Sequence, residues 1–191
     1  MPADAEPLAY VFWHWRRPPV ARDAYEARQR AFHAALAERR PAGFSRATSA
    51  ALSGAPWANA GGDAYEDRYL IADASALDAL DEAVGRGALR HAHGEAAGGA
   101  AGGTAGLYRA RLGVPLAAAA RAAWFAKPAG TSYDELLAAM APLVREGESA
   151  LWMRRLVLGP TPEFCLESTT PVELPPHLGA LALALRPVWP A

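Results

Sequence analysis

Residues 8–15 read Leu8-Ala9-Tyr10-Val11-Phe12-Trp13-His14-Trp15 and are closed by Arg16, Arg17 and the Pro18-Pro19 pair. An aromatic, β-branched run that ends on prolines is a strand with a defined end. Side chains alternate along a strand, so Tyr10, Phe12 and His14 share one face while Val11, Trp13 and Trp15 share the other. Both faces are apolar, so both must be covered. Helices packed on one side of a sheet leave the other side open to water, and this strand therefore demands a second layer.

The elements that follow supply one layer directly. From Arg22 to Arg39, Tyr25, Phe32 and Leu36 recur at helical spacing, and Pro41-Ala42-Gly43 ends the run. Phe44 to Leu52 alternates as a strand, Gly54 to Gly62 makes a loop, and Tyr65 to Ile71 is a third strand. Ser75 with Asp78 resembles a capping box, and Leu77, Leu80 and Val84 follow on one face of a helix that ends near Gly85 to Gly87. Residues 91–106 are rich in Gly and Ala and read as a loop, after which Leu107 to Leu112 gives a fourth strand. The order is β-α-β-β-α-β, the ferredoxin-like motif.

The same order recurs after a join at Gly113 to Arg121. A strand at Ala122 to Lys127 carries Trp124 in a place similar to that of Trp13. Ser132 and Glu135 form a capping box for a helix reaching about Glu146, and strands are expected at Leu151 to Leu158 and Glu163 to Ser168. Thr170 to His177 holds three prolines and has room for a helical turn or two before a closing strand at Leu181 to Val188. This layout resembles the dimeric α+β barrel group, whose members pack two ferredoxin-like sheets face to face, in some cases within one fused chain. The resemblance spans nearly the whole chain at the level of element order and strand aromaticity. It implies an α+β fold of two tandem halves, residues 1–113 and a degenerate 114–191, with antiparallel sheets packed as an α+β barrel and a cavity between the sheets. The group includes cofactor-free oxygenases of aromatic polyketides and haem-handling enzymes, and fold alone does not choose among them.

Composition narrows the classes of partner. The chain has 191 residues, 52% of them hydrophobic, enough for a sizeable core. A formal net charge of −1 and the absence of any block of like charges give no reason to bind nucleic acid or an anionic membrane. The start, Met1 to Pro7, is acidic and proline-containing rather than basic then apolar, and no apolar run approaches the roughly 20 residues of a membrane span. Cys165 is the sole cysteine, which fits a reducing compartment, and a cytoplasmic monomer or homodimer is the expectation.

Candidate chemistry begins with His14, at the end of an aromatic strand face, where a neutral imidazole could serve as a general base or a haem or metal ligand, or be a hydrogen-bonded core histidine. On the third strand Tyr65, Asp67 and Tyr69 fall on one side and Glu66 with Arg68 on the other; an acid beside tyrosines could orient a phenolic substrate, or form cross-strand pairs. Arg46, Arg109, Arg111, Arg154 and Arg155 lie inside strands, where each needs a counter-ion. If Tyr108, Ala110 and Leu112 face the helices, Arg109 and Arg111 project between the sheets, toward a carboxylate ligand or toward Glu66 or Glu167. Trp152 and Trp57 line an aromatic site or fill the core. His33, on the first helix, reads as a surface or boundary residue. His91, His93 and Glu95 offer metal-ligand types without an identifiable fourth ligand, so the segment reads as an exposed loop and no metal is expected. Gly98 to Gly106 lacks the Lys-Ser/Thr of a phosphate loop. Cys165, between Phe164 and Leu166, reads as structural.

Two functions remain open on these residues. One is a small-molecule-binding protein or cofactor-independent enzyme, with His14 and Tyr69 as catalytic candidates and Arg46, Tyr65, Glu66, Arg109 and Trp152 holding a small aromatic or hydrophobic ligand in a cavity between the sheets. The other is a non-catalytic structural or protein-interaction module whose polar strand residues pair internally. The sequence names no cofactor; haem chemistry would require His14 or His33 to reach open space.

Overall fold

In the computed structural model, residues 7–189 are described, so most of the acidic start read at residues 1–7 lies outside them. Among the described residues nine strands and four α-helices form a mixed α+β fold: β1 (Leu8–Arg16), α1 (Arg22–Arg39), β2 (Phe44–Leu52), β3 (Ala64–Ile71), α2 (Ala76–Val84), α3 (Gly87–Gly99), β4 (Ala100–Leu112), β5 (Arg121–Phe125), α4 (Tyr133–Met140), β6 (Ser149–Arg154), β7 (Phe164–Ser168), β8 (Leu181–Ala184) and β9 (Arg186–Trp189). The strands make one antiparallel sheet in the order β8-β5-β7-β6-β4-β1-β3-β2-β9. Strands β8 and β9 stand at opposite ends of that order although only Leu185 separates them, so the sheet curls until its two ends meet along the chain.

The inside of the curl is an aromatic core. Ala9, Val11 and Trp13 of β1 are fully buried against Tyr108, Trp124, Trp152 and Cys165. Trp13 meets Trp124 edge-on at 5.6 Å between ring centroids, and Tyr108 meets both. Helices cover the outer face. α1 turns Phe32 and Leu36, and α3 turns Leu89 and Ala96, onto Ala47 and Tyr69, with Tyr10 and Phe12 packed alongside; α4 packs Leu136 and Met140 on Phe125, Leu151, Phe164 and Leu166. Strand β1 is thus buried on both faces, as its sequence requires.

The structure departs from the sequence reading at five places. Residues 87–99 form helix α3 instead of a loop, and β4 begins at Ala100 rather than Leu107. Alanine favours helix, and two of the glycines of the tract stand where neighbours come close: a Cβ on Gly99, the last residue of α3, would stand 2.8 Å from the Tyr25 ring, and one on Gly102 of β4 would stand 2.5 Å from Trp15. Ser75 does not cap α2; its hydroxyl donates to Asp73 at 2.5 Å. The Ser132–Glu135 capping box is formed, but α4 ends at Met140 because Pro142 lies in the 3₁₀ turn that follows. Strand β6 spans Ser149–Arg154, and the chain leaves the sheet at Arg155, exposing Leu156, Val157 and Leu158. The closing strand is broken at Leu185, whose amide donates to Ala120 as the chain passes from β5 to β2.

Replacing Trp124 by Ala opens the aromatic core and is expected to cost about 3–5 kcal/mol in urea unfolding, whereas Val157→Ala, on the exposed turn, should stay within about 0.5 kcal/mol.

Candidate functional site

The curled interior is filled and electrostatically closed. Trp13 donates its indole N–H to Glu66 at 2.7 Å, Trp152 donates to Glu167 at 2.6 Å, and Arg68 lies between the two carboxylates, 3.0 Å from Glu66 and 2.9 Å from Glu167. The Arg68 guanidinium also sits 5.0 Å over the Trp152 ring. Burial pushes the Glu167 carboxyl up, against the pull of Arg68. Arg46 donates to the Pro115 carbonyl at 2.6 Å. Glu66, Trp152 and Arg46, expected at a ligand site, thus have partners within the protein.

The cavity is on the other side of the sheet. A space of about 480 Å³ lies between β1 and β3 below and α1, α2 and α3 above. Its walls are mainly apolar and aromatic, with Tyr10 and Phe12 of β1, Phe32 and Leu36 of α1, and Leu77, Leu80 and Val84 of α2. The expected position between the sheets is therefore corrected: large side chains fill that volume, and it is the helices over β1 and β3 that leave room. Arg109 is corrected with it. Tyr108 and Ala110 join the interior core, which turns Arg109 to the opposite face, while the register shift after Ala110 breaks the alternation at Arg111.

One end of the cavity is polar. His14 at the end of β1, Asp67 in the middle of β3, and Tyr25 and Gln29 on α1 all line it and are all buried. Asp67 Oδ2 lies 3.2 Å from His14 Nε2 and 3.2 Å from His33 Nε2, and accepts a hydrogen bond from the Tyr69 hydroxyl at 3.0 Å. The two imidazole contacts are close but oblique, short of full hydrogen bonds, and Asp67 Oδ1 has no hydrogen-bond partner. On the far side of the His14 ring, Nδ1 is 2.6 Å from the Tyr25 hydroxyl. Burial alone would raise the Asp67 carboxyl, but His33 and His14 hold it well below the ordinary value of 3.8. An ionised Asp67 only accepts, so the His14 proton belongs on Nε2 and Nδ1 accepts from Tyr25. Burial, with Asp67 second, pushes the Tyr25 phenol up, and burial likewise raises Tyr69. Tyr25, His14 and Asp67 form a chain of phenol, imidazole and carboxylate along which a proton can move.

The structure brings His14 and Tyr69 to this cavity. Tyr65 stacks on His14 with ring centroids 5.5 Å apart, but its hydroxyl points to Glu26 at 3.2 Å, away from the cavity. Glu26 is itself held by Arg186, and the Tyr65 phenol is pushed up to about 12 by burial and by Glu26. His33 is corrected from a boundary residue to a buried one, 1% exposed, behind Asp67 and stacked on Trp189. Sequence reasoning missed Tyr25 as a site residue. The available signal was the helical face shared by Tyr25, Gln29, His33 and Leu36, which puts one phenol, one amide and one imidazole among the buried positions of α1. His93 of α3 reaches the cavity, where burial lowers its pKa, while its neighbour His91 is exposed. Among the described residues no group of three or more His, Cys, Asp or Glu is placed to hold a metal ion, and no helix is long and apolar enough to cross a membrane. Buried Cys165 has its thiol pushed well up by its surroundings, burial first.

Asp67 and Glu167 give opposite acid responses. Asp67, depressed in the folded state, stabilises the fold above its unfolded value near 3.8, and that contribution is lost as the pH falls below it. Glu167, raised, favours the fold at low pH and loses that contribution as the pH rises above its ordinary 4.5. In urea unfolding followed against pH, Asp67→Asn should flatten the loss of stability below pH 4, and Glu167→Gln should remove the decline above it.

No protein-family model and no curated protein matches the sequence. Solved structures do match. The “Putative monooxygenase” of Fusobacterium nucleatum subsp. nucleatum superposes with a TM-score of 0.63 at 10% identity, over 96% of this chain and 93% of that one. A “Putative Chlorite dismutase” superposes with a TM-score of 0.49 at 12% identity, over 96% of each chain. The first shares its fold with this chain.

Proposed function

We propose that the chain is a small-molecule-binding protein whose ligand occupies the cavity under α1, α2 and α3, and that the Tyr25–His14–Asp67 chain accepts a proton from that ligand without a cofactor. The observation that carries the reading is a largely apolar cavity with one buried polar end built from linked titratable groups, the usual form of a ligand site. A ligand group placed against the Tyr25 oxygen would pass its proton to that oxygen as the phenol proton moves to His14 Nδ1. The imidazolium formed would be stabilised by Asp67, whose Oδ2 faces the opposite ring nitrogen. His33 would position Asp67 from behind, and Tyr69 would both hold Asp67 and face the ligand. Relatives by fold include one named as a monooxygenase, which is compatible with small-molecule chemistry and does not specify it.

Within the same reading, the chain is two tandem ferredoxin-like halves, 1–113 and 114–191, closed as an α+β barrel. What supports this is the strand order, in which β4-β1-β3-β2 and β8-β5-β7-β6 place fourth, first, third and second strands of each stretch side by side. Only the first half would carry a site. α4 packs Leu136 and Met140 directly on its strands, and among the described residues no equivalent of the α2–α3 pair stands over them.

Titration with the neutral fluorescent probe N-phenylnaphthylamine tests the cavity. Probe emission should rise on binding to the native chain, and Leu80→Trp, which fills the space from α2, should weaken binding at least about tenfold without lowering the melting temperature. Equal binding by both proteins would remove the cavity from the reading.

A further inference from the structure

The charges and hydrogen-bonding directions around the cavity are one-sided. Its lining includes Asp67 at the inner end and Asp81 on α2, and contains no lysine or arginine. The hydroxyl protons of Tyr25 and Tyr69 are spent on His14 and Asp67, so towards a ligand both phenols offer lone pairs. Asp67 Oδ1 is a buried carboxylate oxygen with no donor. Asp67, Tyr25 and Tyr69 therefore present lone pairs at the polar end, and the Gln29 amide is the neutral donor beside them. An anion carried into this space would shed its water beside two carboxylates with no counter-ion from Lys or Arg, which is costly. A cation meets the reverse situation. The rings of Tyr10, Phe12, Phe32 and Tyr69 line the cavity near the carboxylate, and aromatic faces beside an anion are what attract an ammonium group.

Resting on the proposed cavity reading, we infer that the ligand class is an aromatic or alkyl amine, protonated at neutral pH, whose ammonium lies at the Asp67 end and whose apolar body fills the space under α2 and α3. The same ammonium is the group best placed to give up a proton to Tyr25. Besides Asp67 and Asp81, the titratable groups facing that position are His14, His93, Tyr10, Tyr25 and Tyr69, with His33 behind Asp67. The inference is tested at about pH 8, where an alkylammonium keeps its charge.

Calorimetric titration at that pH compares three probes of similar size: 2-phenylethylamine as the cation, 2-phenylethanol as the neutral analogue and phenylacetate as the anion. The amine should bind about tenfold tighter than the alcohol, with phenylacetate weakest. Asp67→Asn should bring the amine down to the level of the alcohol while alcohol binding stays within about threefold. The exposed Asp81→Asn, which does not disturb the buried cluster, should narrow the same gap, and it decides the matter if Asp67→Asn fails to fold. Alcohol or phenylacetate binding as tightly as the amine would overturn the amine class and leave the cavity standing, as would binding of N-phenylnaphthylamine with none of the three. Loss of N-phenylnaphthylamine binding as well would overturn the cavity itself.

Discussion

Arg68 is the side chain on which the two stretches of the sheet depend. It rises from β3, pairs with Glu66 on its own strand, and reaches across the curled interior to Glu167 on β7. Each glutamate is held a second time by an indole, Trp13 for one and Trp152 for the other. Two buried carboxylates share one guanidinium, and each also takes an indole N–H. Desolvation of such charges is expensive unless hydrogen bonds complete the set. The cluster contributes register more than net stability: a strand shifted by one residue would turn Arg68 out of the core and leave Glu167 buried without it.

That filling decides where chemistry can happen. Trp13, Trp57, Tyr108 and Trp124 pack the interior, and beside Glu66 and Glu167 a space of only about 20 Å³ remains, against about 480 Å³ under the helices. The opposite face of the same β1 and β3 strands is roofed by α1, α2 and α3, with α3 presenting Ala96, Ala97 and His93 to the space and approaching α1 closely at Gly99. Alternation along β1 and β3 thus gives each strand two duties. Val11, Trp13, Glu66 and Arg68 hold the body together, while Phe12, His14, Asp67 and Tyr69 face the cavity or its supports.

How much of this was legible in the sequence follows from which signals are local. The two faces of β1 could be read because strand alternation is a local rule, and the grouping of Tyr65, Asp67 and Tyr69 on one side of β3 followed from the same rule. The Ser132–Glu135 cap could be read because it lies within four residues. Helix α3 could not, since its glycines argue for a loop unless Tyr25 is known to lie against Gly99. The facing of Arg109 could not be read either. The pairing Leu8↔Arg109 sets it, and nothing in residues 107–112 states which neighbour β4 will have. His33 looked like a boundary residue because the Asp67 carboxylate that draws it inward, and the Trp189 ring that covers it, come from distant parts of the chain.

The seam at Leu185 bears on how the protein is made. Ser49 of β2 pairs with Trp189, Arg186 reaches back to Glu26 of α1, and Trp189 stacks on His33. These contacts join positions separated by most of the chain, the kind whose closure is slowest in folding. On a ribosome, β2 and the helix that carries Tyr25 and His33 emerge long before Arg186–Trp189 exists to cover them. Until then β2 is an open strand edge and the support behind Asp67 is incomplete. A ligand that binds at the polar end has no finished site to bind until Arg186–Trp189 has been made.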